Sequence, residues 1–472
     1  MGAEPNLSLR PAESAKRVRA PWAGKSKNWR EFVAQTQWED VPESVQRHTK
    51  LVLLDTLGVI LAGAERPEVH NLRERLAGTA GRGATVYARG WPTHDPRTAA
   101  LLNGIAGRSI ELCEGLRLVS GQAAMQVLPG VLAVGEHARS PGREVLAALL
   151  LGYDVAGRLS TGFTPRPLAH QNGQVSLLAA AAAGARLRGL DAAGISRTMR
   201  IATTLLLTPS YTNAVAGATT LNVAGGMSGF AAALAPELAL AGFEAQEDAI
   251  EEALGQLVGS GFTQDGLLDE LGTRWEITRN YFRLYACCNP IHPALDCFRE
   301  ALAELRPQPG EIERIDVATY RFASVMRNPD PPNYFASKYS LPHAAAVMVV
   351  KGKAGYAELD DTAVNDPVIA ALRHRVHVSE DPEMSAVAPR LRPARVTVTL
   401  RDGRQATQAC DSHRGDFQRP FAEAEIRAKF HELAGVVLTP EGVSRVEDAV
   451  DRVEDWQSLD ALTELLRDYG RP

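Results

Sequence analysis

VQRHTKLVLLDTLGVILAG, residues 45–63, sets the pattern for the first half of the chain. Its apolar residues recur at three- and four-residue spacing, the repeat of a helix, and it ends on Gly63, a common helix stop. The same spacing returns in TAALLNGIAGRSIELCEG (98–115), VLPGVLAVGEHA (127–138), EVLAALLLGYDVAGRLS (144–160) and VSLLAAAAAGARLRGL (175–190), with Gly or Pro at almost every interruption. Abundant alanine favours helix formation and lets helices approach closely. Residues 28–268 are therefore expected to form one large all-helical domain.

The character changes after the acidic stretch near Asp265–Glu270. ERIDVATYRFA (313–323) reads as a strand, and ARVTVTLRDGRQATQAC (394–410) alternates like a hairpin about Asp402-Gly403. LPHAAAVMVVKG (341–352) and DPVIAALRHRV (366–376) between them are helical in pattern, which makes 269–410 a smaller α+β domain. FAEAEIRAKFHELAG (421–435) and VEDAVDRVEDWQSLDALTELLRD (446–468) return to helix, so residues 411–472 are expected to rejoin the helical domain. The fold class is mostly α.

A chain of 472 residues exceeds the size at which a single core keeps growing, which favours two domains. Net charge is −5 and no basic face carries interleaved aromatics, so nucleic acid is not an expected partner. Five cysteines without metal-site spacing are expected to be free thiols in a reducing compartment, and no metal is expected. No apolar run is expected to span a membrane, and residues 1–27 lack a signal-peptide core. These features suggest a disordered N-terminal tail on a cytoplasmic protein.

One stretch concentrates reactive side chains: YFRLYACCNPIHPALDCF, residues 281–298. It sets a cation, a Cys-Cys pair and an isolated histidine between an extended run and an amphipathic helix beginning near Pro293. Such boundaries are where sites tend to lie, although buried cysteines and a lone histidine also serve as packing residues.

Taken together, LVLLDTLGVILAG, LLNGIAGRSIELCEG, VLPGVLAVGEHA, AAAAAGARLRGLDAAGI, NYFRLYACCNPIHPALD, SKYSLPHAAAVMVVKG and RPARVTVTLRDGR resemble, in order, the 2-methylcitrate dehydratase (MmgE/PrpD) family over residues 30–470. The resemblance implies a helical domain built from both chain ends, an inserted α+β lid, an active site between the two, and a homodimer. It also implies cofactor-free chemistry at a carbon beside a carboxylate. ELCEGLRLVSGQAAMQVLP (111–129), LNVAGGMSG (221–229) and LGTRWEITRNYFRLYACC (271–288) are closest in pattern to the iminodisuccinate epimerase-like branch.

Several positions depart from the family pattern. Gln122-Ala123 stands where relatives have His-Pro, Gln126 where a second His is common, and Cys113 where an acid is usual, while Glu111, Glu114 and Arg117 keep the charged loop. His170 in His170-Gln171-Asn172-Gly173 keeps the family histidine and, by its ordinary pKa, is the candidate proton carrier. Leu221-Asn222 replaces a cationic anchor; Arg283 replaces a lysine and can fork onto a carboxylate. Cys288 is the candidate second base if a cation such as Arg283 lowers its pKa, while Asn289 replaces an arginine. His170, Cys288 and Arg283 are thus the expected catalytic set; Glu114, Arg117, Gln122, Asn172, Asn222, Asn289, His292 and Lys338 are the expected substrate-binding set.

The expected activity is that of a cofactor-independent isomerase, epimerase or lyase acting by α-proton transfer on a small carboxylate. The alternatives are a dehydratase or decarboxylase of a tricarboxylate such as 2-methylcitrate or cis-aconitate, and a pseudoenzyme kept as a binding subunit.

Overall fold

The computed structural model describes residues 28–77, 80–117 and 121–471, so the tail expected at 1–27 lies outside the described residues. Its first long helix, Glu43–Gly63, is buried on nearly every side from Leu51 onward. A helix apolar all round must be enclosed by other elements. Ile60 packs against Gly107 of the Pro96–Ser109 helix, and Gly58 sits under Phe430 of the Glu423–Ala434 helix. The C-terminal helices thus return to the first half of the chain, and a buried ion pair, Lys429 Nζ to Asp55 at 2.6 Å, fastens them there.

Against this first long helix pack Ala123–His137 and Gly142–Gly162, and Val175–Leu187 and Leu221–Leu240 pack in turn against Ala123–His137. Small residues set their spacing: a Cβ on Gly104 would stand 2.7 Å from the Gly225 carbonyl oxygen, so the Pro96–Ser109 and Leu221–Leu240 helices meet backbone to backbone. Leu221–Leu240 has 20 residues and is long and apolar enough to cross a membrane, contrary to the expectation that no run reaches that length. Here it is mostly covered by protein, with Pro96–Ser109, Ala123–His137 and Val175–Leu187 against it.

A four-stranded sheet lies between residues 312 and 410, in the order Gln405–Cys410, Ala394–Leu400, Ile312–Thr319, Val376–Glu380. The first three strands are antiparallel and the last is parallel to Ile312–Thr319. Gly403, at φ +88°, turns the hairpin where Asp402-Gly403 predicts it. The helices His292–Leu305 and Leu341–Lys351 supply apolar side chains, among them Phe298 and Ala345, to the core that also holds Val317 and Val396 of the sheet. That core extends into the helical half, taking in Val59, Leu112, Met125 and Leu221.

The fold is mostly α, as expected. Four sequence readings change in detail. The helix read over 98–115 stops at Ser109, because Glu111 adopts φ +52°, a left-handed conformation that no α-helix continues. The helix read over 366–376 ends at Arg373, and Val376–Glu380 is a strand. The helix read over 446–468 is two helices, Pro440–Asp451 and Asp460–Tyr469, split by a short 3₁₀ turn. Short strand pairs, such as Phe163–Pro165 with Gly259–Phe262, interrupt the region read as all-helical.

Candidate active site

The loop that follows the Pro96–Ser109 helix begins the site. Its left-handed turn at Glu111 aims the carboxylate at two guanidinium groups. Arg108 Nη1 donates to Glu111 Oε2, and Arg283 Nη1 donates to Glu111 Oε1 at 2.7 Å. Tyr339 closes the ring: its hydroxyl donates to Glu111 Oε2 at 3.3 Å and accepts from Arg108 Nη2 at 3.2 Å. Burial pushes the Glu111 carboxyl up, but Arg108 and Arg283 outweigh it and hold it at about 2. Two buried guanidinium groups against one carboxylate leave this ring with one excess positive charge.

Arg283 is not a free fork. It also donates to the carbonyls of Glu111 and Cys287 and to the Tyr281 hydroxyl, while its Nε has no partner. Arg108 and Tyr339 were not among the residues singled out from sequence. Arg108 was visible as a charge at the end of an apolar helical run, and Tyr339 as the neighbour of Lys338.

His170 stacks on Tyr211 with ring centroids 5.6 Å apart, and the Tyr211 hydroxyl is 4.0 Å from Cys288 Sγ. The structure therefore brings His170, Cys288 and the arginine ring together, with Tyr211 between histidine and thiol. Burial first, then Arg108, drives the imidazole down to about 3, so it is neutral at pH 7. Its Nδ1 accepts from the Asn172 backbone N–H at 3.2 Å, which places the proton on Nε2. His170 is thus a hydrogen-bond donor at neutral pH, not the half-titrated carrier that an ordinary pKa predicts.

Cys288 also differs from expectation. Burial and the Glu111 charge push its thiol up to about 12, against the pull of Arg283 and Arg108, so it does not provide a thiolate base at neutral pH. Glu114 is the acid that titrates near neutrality. Its carboxylate accepts from the Ala124 N–H at 2.8 Å and from the Tyr153 hydroxyl at 2.6 Å, yet full burial raises it to about 7. It does not pair with Arg117, as a solvated loop pair would.

Four other expected substrate contacts are engaged within the protein. Arg117 is buried and pairs with Asp416 at 2.9 Å. Asn289 accepts from Arg392 and lies 2.9 Å from His413 Nε2. His292 Nε2 donates to the Cys287 carbonyl at 3.0 Å, fastening the start of its helix. Lys338 Nζ donates to the Leu359 carbonyl at 2.5 Å and lies 4.0 Å over the Tyr334 ring, and burial draws its ammonium down to about 7.

The amides behave differently. Asn222 is buried with neither Oδ1 nor Nδ2 partnered, Gln122 Oε1 and Asn172 Nδ2 are likewise unpartnered, and so is the whole amide of Gln174, which sequence reading passed over. Gln126 is satisfied: it donates to the Gln122 carbonyl and accepts from Gly173 N and Ser228 Oγ.

The buried cluster thus joins arginine, carboxylate, tyrosine and imidazole side chains drawn from residues 108–339 of a mostly helical chain. The MmgE/PrpD N-terminal domain matches residues 28–263 and the MmgE/PrpD C-terminal domain matches residues 285–455, so the chain belongs to the MmgE/PrpD family. It is 24% identical over 468 residues to a cis-aconitate decarboxylase of Aspergillus terreus, spanning 91% of this chain and 93% of that protein. It is 23% identical over 451 residues to cis-aconitate decarboxylases of Mus musculus and Homo sapiens, spanning 90% and 91% of this chain and 90% and 92% of those proteins.

Proposed function

We propose that this chain is a cofactor-independent lyase acting at the carbon beside a carboxylate of a small organic acid, by α-proton transfer or loss of carbon dioxide. The observation that carries the reading is the excess charge of Arg108 and Arg283 over Glu111 in a fully buried ring. An uncompensated buried cation is costly, and a substrate carboxylate supplies the missing charge. The unpartnered Nε–H groups of Arg283 and Arg108 then hold the carboxylate, the His170 Nε2–H donates to the oxygen that gains charge, and Glu114, near 7, exchanges the proton. The smaller α+β half acts as the lid over the helical half, bringing Tyr339 and Arg283 to the site.

The decarboxylase relatives support a lyase in preference to an isomerase or epimerase. Epimerisation needs proton carriers on both faces of the substrate, and the expected pair, His170 and Cys288, flanks Tyr211 with Cys288 holding its proton. A homodimer and a cytoplasmic location belong to the same proposal, and sedimentation velocity tests the first. The test of activity is NMR in deuterium oxide with cis-aconitate, 2-methylcitrate and iminodisuccinate. Loss of carbon dioxide or water from either of the first two supports a lyase. Deuterium uptake into iminodisuccinate alone supports the epimerase, and binding without turnover supports a pseudoenzyme.

A further inference from the structure

The helices Ala123–His137, Val175–Leu187 and Leu221–Leu240 begin at the same end of the molecule. Met125 lies against Gly225, and Gly130 against Gly229 and Ala232, so the first and third run in the same direction. Gly184 meets Ala232, and Ser176 faces Gly121, which aligns the second with both. Their first turns carry the unpartnered amides: Gln122 at the cap of one, Asn172 and Gln174 just before the next, Asn222 in the first turn of the third. Three aligned N-termini would favour an anion if that were all that lay there.

The side chains impose a further demand. Asn222 Oδ1 and Gln122 Oε1 are buried acceptors with nothing to accept from, while Asn222 Nδ2 and Asn172 Nδ2 are buried donors with nothing to donate to. Exchanging O and N in Asn222 changes nothing, because both atoms are unpartnered. A carboxylate is an acceptor only and leaves both oxygens unsatisfied. A carboxamide or a hydroxyl donates and accepts.

We propose that one arm of the substrate ends in a neutral group that donates as well as accepts hydrogen bonds, a carboxamide or hydroxyl, and that Gln122, Asn172, Gln174 and Asn222 read it. The opposite arm is the carboxylate taken by Arg108 and Arg283. The inference rests on the carboxylate reading above and narrows it: the preferred acid carries fewer carboxylates than cis-aconitate and has a polar uncharged arm in place of one. A buried polar atom left unpaired weakens binding by about 10- to 100-fold, which is the discrimination expected.

Calorimetric titration of the full chain with succinate, its monoamide succinamate, and propane-1,2,3-tricarboxylate tests this. Succinamate is expected to bind at least about tenfold tighter than succinate. Asn222→Leu is expected to remove most of that preference, and Gln122→Met, at a cap that makes no side-chain capping bond, to reduce it. The ratio of the two affinities is the readout, since general damage to the fold lowers both. If succinate or the tricarboxylate binds as tightly as succinamate, or if the ratio survives both substitutions, the neutral arm is refuted while the carboxylate reading stands. If none of the three binds, both are refuted.

Discussion

Replacing Glu111 by Gln tests the electrostatics of the site most directly. Burial raises the Glu111 carboxyl and Arg108 and Arg283 lower it further, leaving it at about 2 against an ordinary 4.5. An acid whose pKa is depressed by folding stabilises the fold above its unfolded value, and that stability is lost as pH falls through the folded value. The gap from 4.5 to about 2, at about 1.4 kcal/mol per pH unit, corresponds to about 3 kcal/mol at neutral pH. Glu111→Gln, which keeps the shape and removes the charge, is expected to lose about that much at pH 7, because two buried guanidinium groups then repel each other uncompensated. At pH 3 the wild-type carboxylate has spent most of this advantage, and the difference should shrink to about 1 to 1.5 kcal/mol. Urea unfolding followed by circular dichroism at pH 7, 5 and 3 measures it. A loss that is the same at all three pH values, or below about 1 kcal/mol at pH 7, would refute the assignment of Glu111 as the counter-ion of both arginines.

Four further outcomes are expected. His170→Leu, which removes the Nε2–H donor, should lower turnover about 10²- to 10³-fold with an unchanged circular dichroism spectrum, and activity within a few-fold of wild type removes it from the chemistry. Glu114 has its pKa raised by burial from 4.5 to about 7, so its ionisation costs stability as pH rises through that window; Glu114→Gln should therefore gain on the wild type between pH 5 and pH 8 in unfolding experiments. Lys429→Met strands Asp55 in the core and is expected to cost about 3–5 kcal/mol, with Asp55→Asn in the same chain recovering part of it in thermal melts. Cys410 has its thiol pKa lowered chiefly by the hydrogen bond from Cys297 at 3.4 Å, so Cys297→Ala should move the pH profile of Cys410 alkylation upward.

The helices were legible because their signal is local. The repeat in 45–63 gives a helix at Glu43–Gly63, and Asp402-Gly403 gives its hairpin. Val376–Glu380 was missed because its strand identity depends on a parallel partner sixty residues upstream, and in sequence it is only the tail of a helical pattern. The site divides in the same way. His170 and Arg283 could be chosen by residue type and family resemblance, but whether an arginine is buried against a glutamate or solvated on a surface is a tertiary fact. That is why Arg108 escaped notice and why the protein partners of Arg117, Asn289, His292 and Lys338 were not legible.

What sequence could not supply at all is the division of labour within the acidic loop. Glu111 and Glu114 are three residues apart and chemically alike, yet one is clamped by two guanidinium groups and held at about 2, while the other, buried against Tyr153 and a helix N-terminus, is raised to about 7. Cys113 between them is pushed up by burial and stays a neutral thiol, so it adds no charge to the loop. Paired acids whose surroundings drive their pKa values apart acquire separate roles. Glu111 is the fixed charge that orders the arginines, and Glu114 is the carboxyl able to gain and lose a proton at neutral pH. Under the proposed function, a chain with glutamine at 122 leaves its proton chemistry to this carboxyl of the same loop.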